Sequence, residues 1–132
     1  MKIVFTLLLF VTFTASAFAA VRQDRRIIVQ VEKEKSVSGM PLKIKFVKMV
    51  EDSRCPKDVN CVWAGNAKIT VRVTKNGRTS LLELNSNMGE PPEFDGYRFT
   101  LIKLTPEPAS NIRINPSGYM ATISVQKVKR SY

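Results

Sequence analysis

Apolar and polar side chains alternate along several short stretches of the chain, which is the pattern of β-strands with one buried face. The alternation covers residues 26–32, 42–50, 67–74, 78–84, 97–103 and 119–126, and 112–114 adds a short extended piece. Glycine- and proline-containing segments separate these stretches, and none of them has the 3.6-residue period of a helix. The sequence therefore predicts an all-β fold, a single small antiparallel β-sandwich or barrel of roughly six or seven strands.

The clearest strand signal is the run 67–74, which ends at Lys75 and the pair Asn76-Gly77. Asn-Gly is favoured in two-residue type I′ hairpins because both central positions need a positive φ. Pairing Lys75 with Arg78 brings apolar residues together on one face. The pairs predicted by this register are Val73 with Ser80, Val71 with Leu82, and Ile69 with Leu84.

The first 19 residues have the order of a secretory signal peptide: Lys2, an apolar run from residue 3 to 13, and the small-x-small site Ala17-Phe18-Ala19. The apolar run is too short for a membrane span, which takes about 20 residues. We therefore expect cleavage after residue 19 and one β domain over 20–132, exported to the periplasm or the medium, without a membrane span. The charged segment 22–26 is predicted to be a solvated tail.

The formal net charge is +10, and it becomes +9 without Lys2, the one charged residue of 1–19. Such an excess favours anionic partners, for example an envelope polymer, although the chain has no specific nucleic-acid motif. Basic side chains are predicted to point outward from two strands that flank the cysteines, and others from a third strand. The first set is Lys43, Lys45, Lys68 and Arg72, and the second is Arg98 and Lys103. A charged face that only keeps the protein in solution is the competing interpretation.

Two cysteines in an exported chain predict a disulfide between Cys55 and Cys61. A zinc site is not expected. Structural zinc needs about four ligands, and the chain has no histidine to complete the set. The string Asp52-Ser53-Arg54-Cys55-Pro56, followed by Cys61 and Trp63-Ala64-Gly65, resembles the signature of a family of small exported bacterial proteins of unassigned function. The proline-bearing segment before Tyr119-Met120-Ala121-Thr122 is similar to the C-terminal part of that family, so the resemblance covers most of the chain after the predicted signal peptide. The resemblance implies a bacterial envelope or secreted protein and no particular activity.

Around the disulfide, Trp63 is predicted to plug one end of the core, because a tryptophan has much apolar area to hide, and an exposed binding aromatic is the alternative. Gly65 is predicted to form a tight turn into the next strand. Lys57 and Asp58 lie inside the disulfide ring. They make a protease inhibitor the alternative function, since a constrained loop binds at a lower entropic cost. A calcium site is a weaker hypothesis, because its candidate oxygens do not follow a calcium-loop spacing. Those candidates are Glu51, Asp52, Asp58 and Asn60.

Enzymatic activity is not expected. The usual pairs of nucleophile and base are missing, because there is no histidine and both cysteines are predicted to be oxidised. Glu90, Glu93 and Asp95 lie in a loop over 85–95, where carboxylates are more often solvated than catalytic. Phosphate-binding and dinucleotide-binding glycine motifs are absent from the sequence, so no cofactor is expected. The leading hypothesis is therefore a non-enzymatic binding or structural module.

Overall fold

The computed structural model describes residues 23–87 and 89–129, so the predicted signal peptide lies outside the described residues. The described chain forms eight strands and one short 3₁₀ turn, Pro116–Gly118. The strands are β1 (Asp24–Gln30), β2 (Glu34–Ser36), β3 (Lys43–Asp52), β4 (Ala67–Lys75), β5 (Arg78–Asn85), β6 (Glu93–Phe94), β7 (Tyr97–Thr105) and β8 (Met120–Lys127). In this part of the chain, no helix has the length and apolar character needed to cross a membrane.

The strands form two sheets of four, with the orders β1-β8-β7-β6 and β2-β3-β4-β5. All paired neighbours run antiparallel. Neither sheet closes on itself, so the fold is a sandwich, which decides between the two predicted architectures. Six long strands match the predicted ones, whereas β2 and β6 are too short to show an alternation. The predicted extended piece at 112–114 forms no strand, and Ile112 makes only an isolated bridge with Ala109.

The core lies between the sheets, where the apolar sides of the strands meet. Phe46 of β3, Ile69 of β4, Phe99 of β7 and Ile123 of β8 are all fully buried. Each such side chain contributes roughly 1.5–3 kcal/mol by leaving water. The alternation of apolar and polar residues in β4 and β8 follows from this burial, because successive side chains point to opposite faces, although Thr70 and Ser124 on the outer faces are also buried.

The β4–β5 hairpin has the predicted register, with Val73 opposite Ser80, Val71 opposite Leu82 and Ile69 opposite Leu84. Asn76 and Gly77 have φ values of 49° and 79°, and two positive φ values are those of a type I′ turn. The prediction of this hairpin is confirmed.

The predicted N-terminal tail is wrong over its described part. Asp24, Arg25 and Arg26 belong to β1 and pair with β8, with Asp24 opposite Gln126. Their side chains are exposed, because β1 is an edge strand at the outside of the sandwich. A run of charged residues carries no alternation, so the strand could not be recognised there from the pattern.

Candidate functional site

The cysteine loop, residues 53–66, connects β3 to β4 and contains the predicted disulfide between Cys55 and Cys61, which is confirmed. Backbone hydrogen bonds join its two ends: Ser53 N donates to Asn66 O at 2.8 Å, and Cys55 N donates to Ala64 O at 3.2 Å. Gly65 has a φ of 70°, and a Cβ atom on it would lie 1.8 Å from the carbonyl oxygen of Ser53. Only glycine fits where the two ends come this close.

Arg54 fastens the loop to the opposite sheet. Its guanidinium donates to the Asp52 carboxylate at 2.7 and 2.8 Å, to Leu104 O at 2.6 Å and to Pro106 O at 3.0 Å. The Tyr119 hydroxyl donates to the same carboxylate at 2.9 Å. The side chains of Asp52 and Arg54 are each only 14% exposed. This ion pair, which is largely shielded from solvent, therefore ties the end of β3 to the end of β7 and the start of β8.

The ionisation of these groups follows from their contacts. Burial acts to raise the pKa of Asp52, but the hydrogen bonds from Arg54 and Tyr119 outweigh it and lower the pKa below its usual value. The hydrogen bond to Asp52 raises the pKa of Arg54. Burial, together with the hydrogen bond to Asp52, raises the pKa of Tyr119 to about 12. The carboxylate is thus charged and the phenol neutral at ordinary pH.

Asn66 closes the loop at its other end, a role that no sequence pattern predicts. It is buried, and its side-chain amide donates to Asn85 Oδ1 at 3.0 Å. Its side-chain oxygen accepts from Asn87 N at 3.3 Å, and its backbone N–H donates to Ser53 Oγ at 3.1 Å. The one available signal is its position between the turn residue Gly65 and Ala67, the first residue of β4.

The predicted binding residues Lys57 and Asp58 lie in a turn in which Val59 N donates to Pro56 O at 3.1 Å. The Lys57 N–H donates to Pro108 O at 2.9 Å. The Asp58 carboxylate accepts hydrogen bonds from the backbone N–H of Ser110, at 2.9 Å, and from its hydroxyl. These Ser110 contacts lower the pKa of Asp58. The turn is thus attached to the segment after β7, while the Lys57 side chain stays exposed.

We call Val62 and Trp63 the tip of the cysteine loop. Val62 is 91% exposed and Trp63 is 83% exposed, so the prediction that Trp63 plugs the core is wrong. The physical reason is that the side chains of Arg54 and Tyr119 occupy the end of the sandwich beside the loop, where Asp52 satisfies their polar groups. Trp63 is left outside this hydrogen-bonded network.

The predicted basic face divides into two parts. Lys45 lies directly opposite Arg72 on the neighbouring strand, and Lys43 lies opposite Thr74, so these three bases are close together. Lys68 lies apart from them, opposite Glu51. Lys43 and Arg72 are exposed, whereas Lys45 and Lys68 are half-buried.

The third predicted strand, β7, belongs to the other sheet, and its bases are paired. Arg98 contacts Glu93 at 2.6 Å, and Lys103 contacts Glu107 at 3.8 Å. Asp95 is bound by Lys75 at 3.0 Å and by Arg78 at 3.1 Å, and the hydrogen bond from Lys75 lowers its pKa although burial opposes the shift.

No cluster of three or more acidic, cysteine or histidine side chains suited to a metal ion occurs within residues 23–87 and 89–129. Two of the four calcium candidates already have other partners: Asp52 binds Arg54 and Tyr119, and Asp58 binds Ser110. Glu51 accepts a hydrogen bond from the Ser53 hydroxyl at 2.9 Å. The arrangement does not gather these oxygens around one point.

No family model matches the chain, and no curated protein or solved structure matches it either. The resemblance of the motif around Cys55 and Cys61 to a family of exported bacterial proteins therefore stays a prediction. The function has to be argued from the site itself.

Proposed function

We propose that this protein is an exported, non-enzymatic binding module that binds a partner protein through the tip of its cysteine loop, Val62 and Trp63. The observation that carries the proposal is the contrast within the loop. Asp52, Arg54 and Gly65 each have a structural task, whereas the tip residues are 91% and 83% exposed. Tryptophan is enriched among the residues that dominate binding energies at protein interfaces.

The loop presents this tryptophan in a preorganised form. The disulfide, the backbone hydrogen bond from Cys55 to Ala64 and the anchoring of Asp58 to Ser110 hold the segments before and beside the tip. Fixing these segments in advance reduces the conformational entropy that binding must remove. Burying a tryptophan takes roughly 150–250 Å² out of water, which is worth about 4–6 kcal/mol before the costs of association.

The charges around the tip favour an apolar contact with a protein over a polyanion. Arg54 is neutralised by Asp52, and Lys57 is followed by the anionic Asp58. The loop therefore has no uncompensated cluster of bases to attract a polymer of negative charge. We expect the partner to supply an apolar socket for the indole ring.

The test is site-specific photo-crosslinking in the exporting cell, with the reactive group placed at Val62. A matched control places it at Ile28, an apolar residue of β1 that is 50% exposed and lies on the other sheet. We expect a defined protein adduct from position 62 and none from position 28. With the identified partner purified, Trp63→Ala should weaken binding at least about tenfold, or about 1.4 kcal/mol, at an unchanged melting temperature. Unaltered affinity would refute the proposal.

A second candidate function, binding of an anionic polymer, is favoured by one observation, the position of Lys45 directly opposite Arg72 with Lys43 beside them. Like charges directly opposite each other destabilise a sheet, which is a cost that an anionic ligand would relieve. Lys45→Gln with Arg72→Gln should lower the salt concentration that elutes the protein from heparin. The control, Arg98→Gln with Lys103→Gln, removes the same charge from paired bases and should have a smaller effect. Equal shifts, or no retention at low salt, would reject this candidate.

The protease-inhibitor alternative rests on Lys57. An inhibitor loop presents an extended backbone whose polar groups are free for the protease, but the Lys57 N–H is bound to Pro108 and the chain turns between Pro56 and Val59. This geometry favours the tip as the recognition element. Saturable inhibition of a trypsin-like protease that Lys57→Ala abolishes would favour the inhibitor function over binding through the tip.

A further inference from the structure

The four outer strands of the sandwich differ in how open their edges are. β2 has three residues and β6 has two, and β1 carries the charged run Asp24 to Arg26. Short length and charge are the usual means of preventing edge-to-edge pairing. β5 is less protected: it is eight residues long, pairs with β4 without a bulge, contains no proline, glycine or lysine, and its two charged residues, Arg78 and Glu83, flank a neutral centre at 79–82. We propose that β5 pairs antiparallel with β5 of a second copy of this chain, which joins two four-stranded sheets into one.

The hairpin geometry determines which backbone groups of β5 are available. In a two-residue hairpin the residues next to the turn, here Lys75 and Arg78, form a hydrogen-bonded pair, and such pairs then alternate along the ladder. Every second residue of β5 from Arg78 therefore directs its N–H and C=O toward β4. Thr79, Leu81 and Glu83 direct theirs outward. Among the described residues β5 pairs only with β4, and none of these three takes part in the backbone hydrogen bonds outside the strand pairs.

The outward set is self-complementary when the two copies are centred on Leu81. Leu81 then lies opposite Leu81 of the second copy, and each Thr79 lies opposite a Glu83. All three pairs are hydrogen-bonded pairs, which exchange two bonds each, so the contact makes about six hydrogen bonds. Leu81 is 62% exposed, and this arrangement covers it with its own counterpart. A twofold axis relates the copies, as in most homodimers.

Charge selects this register. The outward set contains no basic residue, because Thr79 and Leu81 are neutral and Glu83 is acidic. The contact therefore brings no two basic side chains together, although the whole chain has a net charge of +10. Centring the pair on Glu83 instead would place two carboxylates directly opposite each other, which is destabilising. Centring on Thr79 would set Leu81 against Gly77 of the turn and lose the apolar contact. The Leu81-centred register keeps the apolar pair and avoids the carboxylate clash.

Sedimentation velocity over a concentration series tests this pairing, with matched variants. We expect a monomer–dimer equilibrium, a dissociation constant raised at least about tenfold by Leu81→Arg, and little change from Ile28→Arg, which adds the same charge at an exposed apolar residue of β1. Leu81→Pro removes one outward N–H without breaking a bond to β4 and should also weaken the dimer. Circular dichroism and melting temperature establish that each variant is folded. A wild-type monomer at millimolar concentration, or equal effects of Leu81→Arg and Ile28→Arg, would overturn the proposal.

Cysteine crosslinking tests the register separately. Cα atoms of a hydrogen-bonded antiparallel pair lie about 5.5 Å apart, within the range of a disulfide, so Leu81→Cys should form a linked dimer under mild oxidation. Thr79→Cys should not, because the two residues 79 would be offset by about four positions, roughly 13 Å along the strands. Linkage through position 79 but not 81 would contradict the register. Trp63→Ala should leave the dimer intact, so failure here is separable from failure of the proposed tip function.

Discussion

The base and the tip of the cysteine loop follow opposite physical rules within a few residues of each other. At the base, Asp52, Arg54 and Tyr119 are joined by hydrogen bonds of 2.7–2.9 Å, and Gly65 occupies a site that admits no Cβ. At the tip, two apolar side chains are left almost wholly in water. The charged side chains of Asp52 and Arg54 are thus the shielded, structural ones, whereas the apolar side chains of Val62 and Trp63 are exposed, the reverse of the usual distribution.

This difference separates residues that maintain the fold from residues available for recognition. An ion pair shielded from solvent that loses one partner leaves an uncompensated charge, and a close backbone approach admits no added atom, so changes at the base should lower stability. Truncating an exposed side chain removes few contacts and therefore changes stability little. Substitutions at the two places should therefore differ sharply in their effect on stability.

Within the cysteine loop, the largest effect is expected for Gly65→Ala. The new Cβ would lie 1.8 Å from a backbone oxygen, in addition to the strain of a positive φ, so we expect a loss of about 3 kcal/mol or more in the free energy of unfolding. The matched control is Gly77→Ala, where the φ is also positive but no atom lies within 4 Å of the Cβ. That change should cost only about 1 kcal/mol. Urea denaturation of both variants measures the difference, and equal losses would show that the loop ends do not approach so closely in solution.

Removing the disulfide should have the next largest effect. For so small a ring, loop-closure entropy predicts that Cys55→Ala with Cys61→Ala lowers the free energy of unfolding by about 2 kcal/mol. The midpoint of urea unfolding, compared with that of wild type under oxidising conditions, measures it. A loss below about 0.5 kcal/mol would mean that the base holds the loop without the disulfide.

Asp52 should make stability depend on acidic pH. Its pKa is lowered in the fold from a usual value of 3.8, so its contribution is fully present above that value and is lost as the pH falls through the lower folded pKa. Asp52→Asn should lower stability at neutral pH by about 1 kcal/mol, a value reduced for partial contact with solvent. The difference in the free energy of unfolding between wild type and variant should then disappear below pH 3.8. A gap that is constant from neutral to acidic pH would contradict the role of the charged carboxylate.

The all-β class, the disulfide and the β4–β5 hairpin could be predicted from the sequence because each rests on a local signal, whereas the choice between sandwich and barrel could not. Alternation over eight or nine residues, two cysteines in one loop, and Asn76-Gly77 need no knowledge of distant contacts. The site was less accessible. The size of Trp63 favours burial, and nothing local reveals that Arg54 and Tyr119, far apart along the chain, both bind Asp52 at that end of the sandwich. The strands β2 and β6 could not be predicted because two or three residues are too few to show an alternation.

The smallest effect on stability is expected at the tip. Trp63→Ala should change the free energy of unfolding by less than about 0.5 kcal/mol, because the indole is mostly in water. The contrasting aromatic is Phe99, which is fully buried, and Phe99→Ala should cost about 3–5 kcal/mol. Thermal and urea unfolding of the two variants measure this. A loss of 2 kcal/mol or more for Trp63→Ala, roughly the worth of a buried side chain, would place the indole in the core after all.

The most direct test of the central claim, that the base holds the fold and the tip is displayed to solvent, uses the intrinsic fluorescence of the protein. Trp63 is the single tryptophan of the chain, so its emission reports on the tip alone. We predict that the native protein emits at a long wavelength typical of exposed indole and that acrylamide quenches it nearly as well as in the urea-denatured chain. A blue-shifted emission that acrylamide hardly quenches in the native state would contradict the account and return Trp63 to the core.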